Sequence, residues 1–128
     1  MKIPFGKIPS METLYKLKAL RFSTPGQNYK NYVWCKKASD LAEYVMNERN
    51  TIIKELGEGD DEGNYRVKKE NMEEFTKKMN ELFADTTEDL PPFPFKEEDF
   101  AEDKCHYSDD DKTWLSAEEL GVLFQLTE

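Results

Sequence analysis

The stretch Leu56–Val67, LGEGDDEGNYRV, packs four carboxylates and three glycines into a dozen residues between two helical patterns. As a calcium loop it makes the chain a helix–loop–helix protein; as a hairpin it makes it an α+β protein. An EF-hand loop needs oxygen ligands at alternating positions, glycine at the sixth and a bidentate glutamate at the twelfth. Placing Gly63 at the sixth position puts Glu58, Asp60 and Glu62 among the early ligands, but the twelfth position then falls on Lys69. An ammonium there repels a cation, and Glu70 comes one residue too late. The hairpin accounts for more: Gly57 stops a helix, Gly63-Asn64 supplies positive φ for a turn, and Tyr65-Arg66-Val67 forms a short strand.

Amphipathic helices flank this stretch. Ala38, Leu41, Val45, Ile52 and Leu56 recur at helical spacing, with Ser39 or Asp40 as the N-cap, and predict a helix over about 38–56 whose apolar face lies in the core. Met72, Phe75, Met79, Leu82 and Phe83 form a second stripe over 71–84, opposite Glu73, Glu74, Lys77, Lys78 and Glu81. A third helix starts at Ser116, which makes a capping box with Glu119 and sets Leu120, Leu123 and Phe124 on one face. Nearer the N-terminus, Ser10 caps a shorter helix over Met11–Leu20, and Thr24-Pro25-Gly26 breaks it. Asn28–Cys35 fits a strand or an early turn of the long helix equally well. The prolines of Leu90–Phe95, LPPFPF, exclude helix and remove ladder donors, so this segment is an edge strand or a packed arm.

These elements predict an α+β fold of one domain over 1–128, with three to four helices packed on a small antiparallel sheet or hairpin. The expected strands are the N-terminal arm, Tyr65–Val67 and Phe93–Phe95. No apolar run spans a bilayer, and MKIPFGKIPS lacks the apolar core of a signal peptide, so an intracellular location is expected. In that setting Cys35 and Cys105 are expected as reduced thiols.

The net charge of −9 conceals a division. Residues 1–57 carry ten Lys/Arg and five Asp/Glu, whereas residues 58–128 carry eight and twenty-two. Either the two halves neutralise one another on folding, or each faces a differently charged partner. Residues 1–37 set eight cations against Glu12 among Phe5, Tyr15, Phe22, Tyr29, Tyr32 and Trp34. Cations interleaved with aromatics fit single-stranded nucleic acid, but a small core needs its aromatics and the field of the whole chain is negative, which argues against direct nucleic-acid binding.

Catalytic motifs are missing: there is no phosphate-cradling glycine loop, serine elbow or metalloprotease helix. His106 is the chain's one histidine, and adjacency to Cys105 does not build a thiolate–imidazole pair. Neither an enzyme, a cofactor nor a metal site is expected. The acidic insert 97–114 offers a binding surface instead. Its run EEDFAEDKCHYSDDD, residues 97–111, carries eight carboxylates against Lys104, and a polyanion of this kind can occupy the cationic groove of a nucleic-acid-handling protein. The candidate partner-binding residues are Glu97, Glu98, Asp99, Phe100, Glu102, Asp103, Tyr107, Asp109, Asp110 and Asp111.

ETLYKLKAL, the long DLAEYVMNERNTIIKELGEGDDEGNYRV, ENMEEFTKKMNELF and LSAEELGVLF, taken in this order over about residues 10–124, resemble a class of small tailed-phage proteins of unknown function. The resemblance implies a phage or prophage origin and an α+β domain; it carries over no active-site residues, and the longer acidic insert before Trp114 departs from it. With the acidic 97–111 region, the expected function is an accessory protein that inhibits or modulates a host nucleic-acid or defence complex in the host cytoplasm; the alternative is a virion or assembly component of the tail or head–tail junction, whose aromatic arms insert into neighbouring subunits. Both are protein binders with no membrane role.

Overall fold

A computed structural model describes residues 2–60, 62–101, 105–107 and 115–127, apart from the side chains of 106 and 107. It has an α+β fold. In chain order the elements are β1 (Ile3–Pro4), α1 (Met11–Ala19), β2 (Leu20–Phe22), α2 (Pro25–Leu56), β3 (Gly57–Gly59), β4 (Tyr65–Val67), α3 (Met72–Ala84), β5 (Thr86–Thr87), β6 (Cys105–Tyr107) and α4 (Ala117–Phe124). The strands pair antiparallel in twos: β1 with β5, β2 with β6 and β3 with β4.

The long helix begins well before the expected start. Thr24 accepts from the Gln27 amide while the Gln27 side chain accepts from the Thr24 amide, and Pro25 occupies the first turn, where its missing N–H costs nothing. What reads as a breaker is therefore the cap of a 32-residue helix, and Ser39 and Asp40 lie inside it. Asn28–Cys35 is helical. Two asparagines on this part of α2 secure neighbouring main chain: Asn28 Oδ1 accepts from the Phe22 amide at 2.8 Å, and buried Asn31 donates to the Leu17 carbonyl at 2.9 Å.

Gly57 ends α2, though not through left-handed backbone, since its φ is −116°. A Cβ there would sit 2.5 Å from the Ile53 carbonyl oxygen and 2.6 Å from that of Arg66. The hairpin follows, with Gly63 alone among the described residues at positive φ, 84°; Asn64, expected to share it, does not. Asn71 Nδ2 donates to the Leu56 carbonyl at 2.9 Å and closes the end of the helix.

The core is concentrated at one end of α2. Leu14, Leu17, Leu20, Phe22, Trp34, Cys35, Ala38, Leu90, Phe93, Phe95, Leu123 and Leu126 are buried together. The Leu90–Phe95 segment is a packed arm rather than a strand, because Trp34 Nε1 donates to the Pro91 carbonyl at 2.8 Å and the Phe93 amide donates to Leu126 O at 2.9 Å. Phe95 stacks on Phe22 with centroids 4.1 Å apart, and Trp34 meets Phe93 edge-on at 4.9 Å. The expected sheet joining the N-terminal arm, β4 and Phe93–Phe95 does not form; β1 pairs with β5, while β4 pairs with β3.

Beyond Ala38 the burial thins. Leu41, Val45, Ile52 and Leu56 are only half-buried, as are Phe75 and Leu82, and Met72 and Phe83 are exposed. Met79 alone of the α3 stripe is buried. This half of α2 has the β3–β4 hairpin, α3 and the N-terminal segment against it, the last through Phe5 on Tyr44 at 5.4 Å, and together they cover the stripes only in part.

The C-terminal helix is locked to α1. Glu119 accepts from Lys16 Nζ at 2.9 Å, from Thr13 Oγ1 at 2.9 Å and from the Ser116 amide at 2.9 Å. Donation from the Ser116 backbone, helped by Lys16 and Thr13 and opposed by partial burial, lowers its carboxyl from the ordinary 4.5 to about 2.

Leu17→Ala and Leu123→Ala should each cost about 2–5 kcal/mol in a denaturant melt, and the half-buried Leu41→Ala and Phe75→Ala about 1–2 kcal/mol. Glu119→Gln should cost about 1.5–3 kcal/mol at neutral pH. Because the folded carboxyl titrates below its unfolded value, the deficit should be full above about pH 4.5 and vanish as pH falls through about 2, read from parallel melts of both proteins.

Candidate functional site

The acidic insert leaves the core at Phe95. Glu97–Phe100 forms one turn of 3-10 helix, with Glu97 and Glu98 exposed. Glu97 also lines an open depression of about 520 Å³ floored by Pro92, Pro94, Phe124 and Thr127. The other two members of the turn are half-buried. Asp99 accepts from the Lys96 amide at 2.9 Å and so holds the turn, while Phe100 lies edge-on to Phe22 and to Phe124 at 5.6 Å each. Asp99 thus caps its own turn and Phe100 packs against the core.

The insert touches the rest of the protein again at β6, where Cys105, His106 and Tyr107 pair with Phe22, Arg21 and Leu20. Glu102, Asp103, Asp109, Asp110 and Asp111 lie outside the described residues, as does the side chain of Tyr107. Of the ten residues that the sequence nominates, Glu97 and Glu98 are thus placed on an open surface. Phe100 is half-buried and packs against the core, a placement that its acidic neighbours hide in the sequence.

Among the described residues the two charged halves make little direct contact through ion pairs. Among the described residues, Lys16–Glu119 is the one ion pair that joins a cation of the first half to a carboxylate of the second. Lys68–Glu58 is internal to the second half, and Lys78–Glu55 runs the other way. On α3, Glu73, Glu74 and Glu81 stand exposed around Lys77.

Asp60 shows what the glycine-rich loop does with its carboxylates. Its Oδ1 accepts from the amides of Glu62 and Asn64 at 2.9 Å each, so it closes the hairpin on itself. Among the described residues no cluster of three or more His, Cys, Asp or Glu side chains is arranged to hold a metal ion.

Both cysteines are free and buried. Burial pushes the Cys35 thiol up to about 12, against a small opposing effect of Lys18, and Cys105 is raised by burial and then by Asp99. Raised thiols are poor nucleophiles. No described helix is long and apolar enough to cross a membrane.

Comparison with protein-family models, curated proteins and solved structures finds no match.

Proposed function

We propose that the protein is a non-catalytic binding protein, a phage-encoded accessory factor that occupies the basic surface of a host nucleic-acid-handling or defence complex. The supporting observation is the near absence of ion pairing between the two halves among the described residues, which leaves the carboxylates of the second half, Glu97 and Glu98 among them, available to an external cation. An anionic surface steers association with a basic partner and fixes its register, while the buried core beneath it supplies a rigid platform. The phage assignment rests on the sequence resemblance.

An apolar groove of about 310 Å³ favours a second reading, a virion or assembly component. Phe5, Ile8, Met11, Val45, Met46 and Phe83 line it, and the arm of a neighbouring subunit would fill it. Such a component forms rings or enters particles, whereas an inhibitor stays a small soluble species with one host target.

Affinity purification of the tagged protein from host cells, followed by mass spectrometry, separates the two: recovery of capsid or tail proteins alone excludes the inhibitor. With the target in hand, Glu97→Gln, Glu98→Gln, Asp109→Asn, Asp110→Asn and Asp111→Asn combined should weaken binding and flatten its salt dependence. Asp99 is left intact because it caps its own turn. Folding stability should stay within about 0.5 kcal/mol per site. Intact binding together with a collapsed melting curve would mean that these carboxylates serve the fold.

A further inference from the structure

The first three turns of α2 keep Trp34 inside and put their remaining aromatics outside. Trp34 is 2% exposed, whereas Tyr29 is 69% and Tyr32 58% exposed. At about 100° per residue, Tyr29, Lys30, Tyr32, Lys36 and Lys37 share roughly 160° of the helix surface. Asn31, Trp34, Cys35 and Ala38 fill the opposite, buried side. The outward face runs about 12 Å along the axis from Tyr29 to Lys37. No acidic residue occurs in α2 before Asp40, and among the described residues Lys30, Lys36 and Lys37 have no ion-pair partner.

We infer that this face of α2 binds single-stranded nucleic acid, with Tyr29 and Tyr32 as stacking platforms for bases and Lys30, Lys36 and Lys37 as contacts to phosphates. The objection that a small core consumes its aromatics applies to Trp34 and not to the two tyrosines. The objection from net charge weakens with distance. α2 continues for about 30 Å beyond Lys37 to the hairpin, α3 runs back along it so that Phe83 shares a groove with Ala42, Val45 and Met46, and the Debye length at 0.1 M salt is about 10 Å. The hairpin and the start of α3 are therefore screened from a phosphate at Lys36 at ordinary ionic strength, whereas Asp40 and Glu43, one to two turns away on α2, lie within range and lower the affinity.

A lipid surface fits the face less well. Interfacial helices bury a broad aliphatic stripe, and here Val33 is the sole aliphatic side chain between the tyrosines and lysines. Exposed π-faces set among ammonium groups match bases and phosphates together, independent of sequence. The acidic insert returns near the start of α2, since β6 pairs with β2 and the Phe22 amide donates to Asn28, so the inference stands on the exposed tyrosines and lysines and not on distance from the insert.

The test is fluorescence anisotropy of a labelled oligothymidylate of about 15 nucleotides, titrated with the full chain. Saturable binding is expected, with a logarithmic salt slope of roughly −2 from three lysines at about −0.7 each. Tyr29→Ala and Tyr32→Ala should each weaken binding about tenfold, while Tyr29→Phe and Tyr32→Phe, which keep the ring, should bind as the parent does. Lys36→Glu with Lys37→Glu should abolish binding. All these side chains are exposed, so melting temperatures should be unchanged, which separates lost contact from lost fold. No binding at low salt, binding indifferent to the tyrosine substitutions, or capture of anionic phosphatidylserine vesicles but not of the oligonucleotide would overturn it.

Discussion

The prolines of Leu90–Phe95 leave a segment that can neither join a helix nor complete a ladder, yet its large side chains must be buried. The fold meets both demands by wrapping the segment around Trp34. The indole donates to the Pro91 carbonyl, the Phe93 amide reaches Leu126, and Phe93 and Phe95 pack against Trp34 and Phe22. One six-residue arm thereby joins the N-terminal turns of α2, strand β2 and the C-terminus. It also decides which face of α2 is inside. With Trp34, Cys35 and Ala38 committed to the arm and to α1, the tyrosines and lysines of the same turns point to solvent.

The remainder of α2 is a lever. Its C-terminal half carries the β3–β4 hairpin and α3, and burial there is partial along every apolar stripe, Met79 excepted. Thin burial gives a low local stability, which is where proteins place elements that move or receive partners. The carboxylates of the hairpin lie toward the far end of α2 from its cationic turns, while the acidic insert returns to the core end through β6 on β2. Lys16–Glu119 ties the halves mechanically without neutralising them.

Much of this is legible in the sequence where the signal is local. Ser10, Ser116–Glu119 and Gly63 each act through main chain a few residues away, and they do what their spacing implies. The start of α2 is ambiguous for the same reason: YKNYVWC favours strand by composition, and Thr-Pro-Gly reads as a breaker until Gln27 is seen to complete a capping box. Burial depth is not local. Periodicity tells which side of a helix is apolar and not how much chain will cover it, so Leu41 and Leu56 look like core and are half-exposed. In the acidic insert, charge marks Glu97 and Glu98 as surface, but it also draws in Phe100, whose partners Phe22 and Phe124 are far away in sequence.

Native-state hydrogen exchange by NMR tests the arm's role most directly. If the wrap around Trp34 organises the fold, the Trp34 indole N–H and the Phe93 amide should exchange only through global unfolding, alongside Leu17 and Ala38, while the amides of β4 and α3 exchange through a cheaper local opening. Rapid exchange of the Trp34 indole and the Phe93 amide, with α3 as protected as α1, would contradict the account.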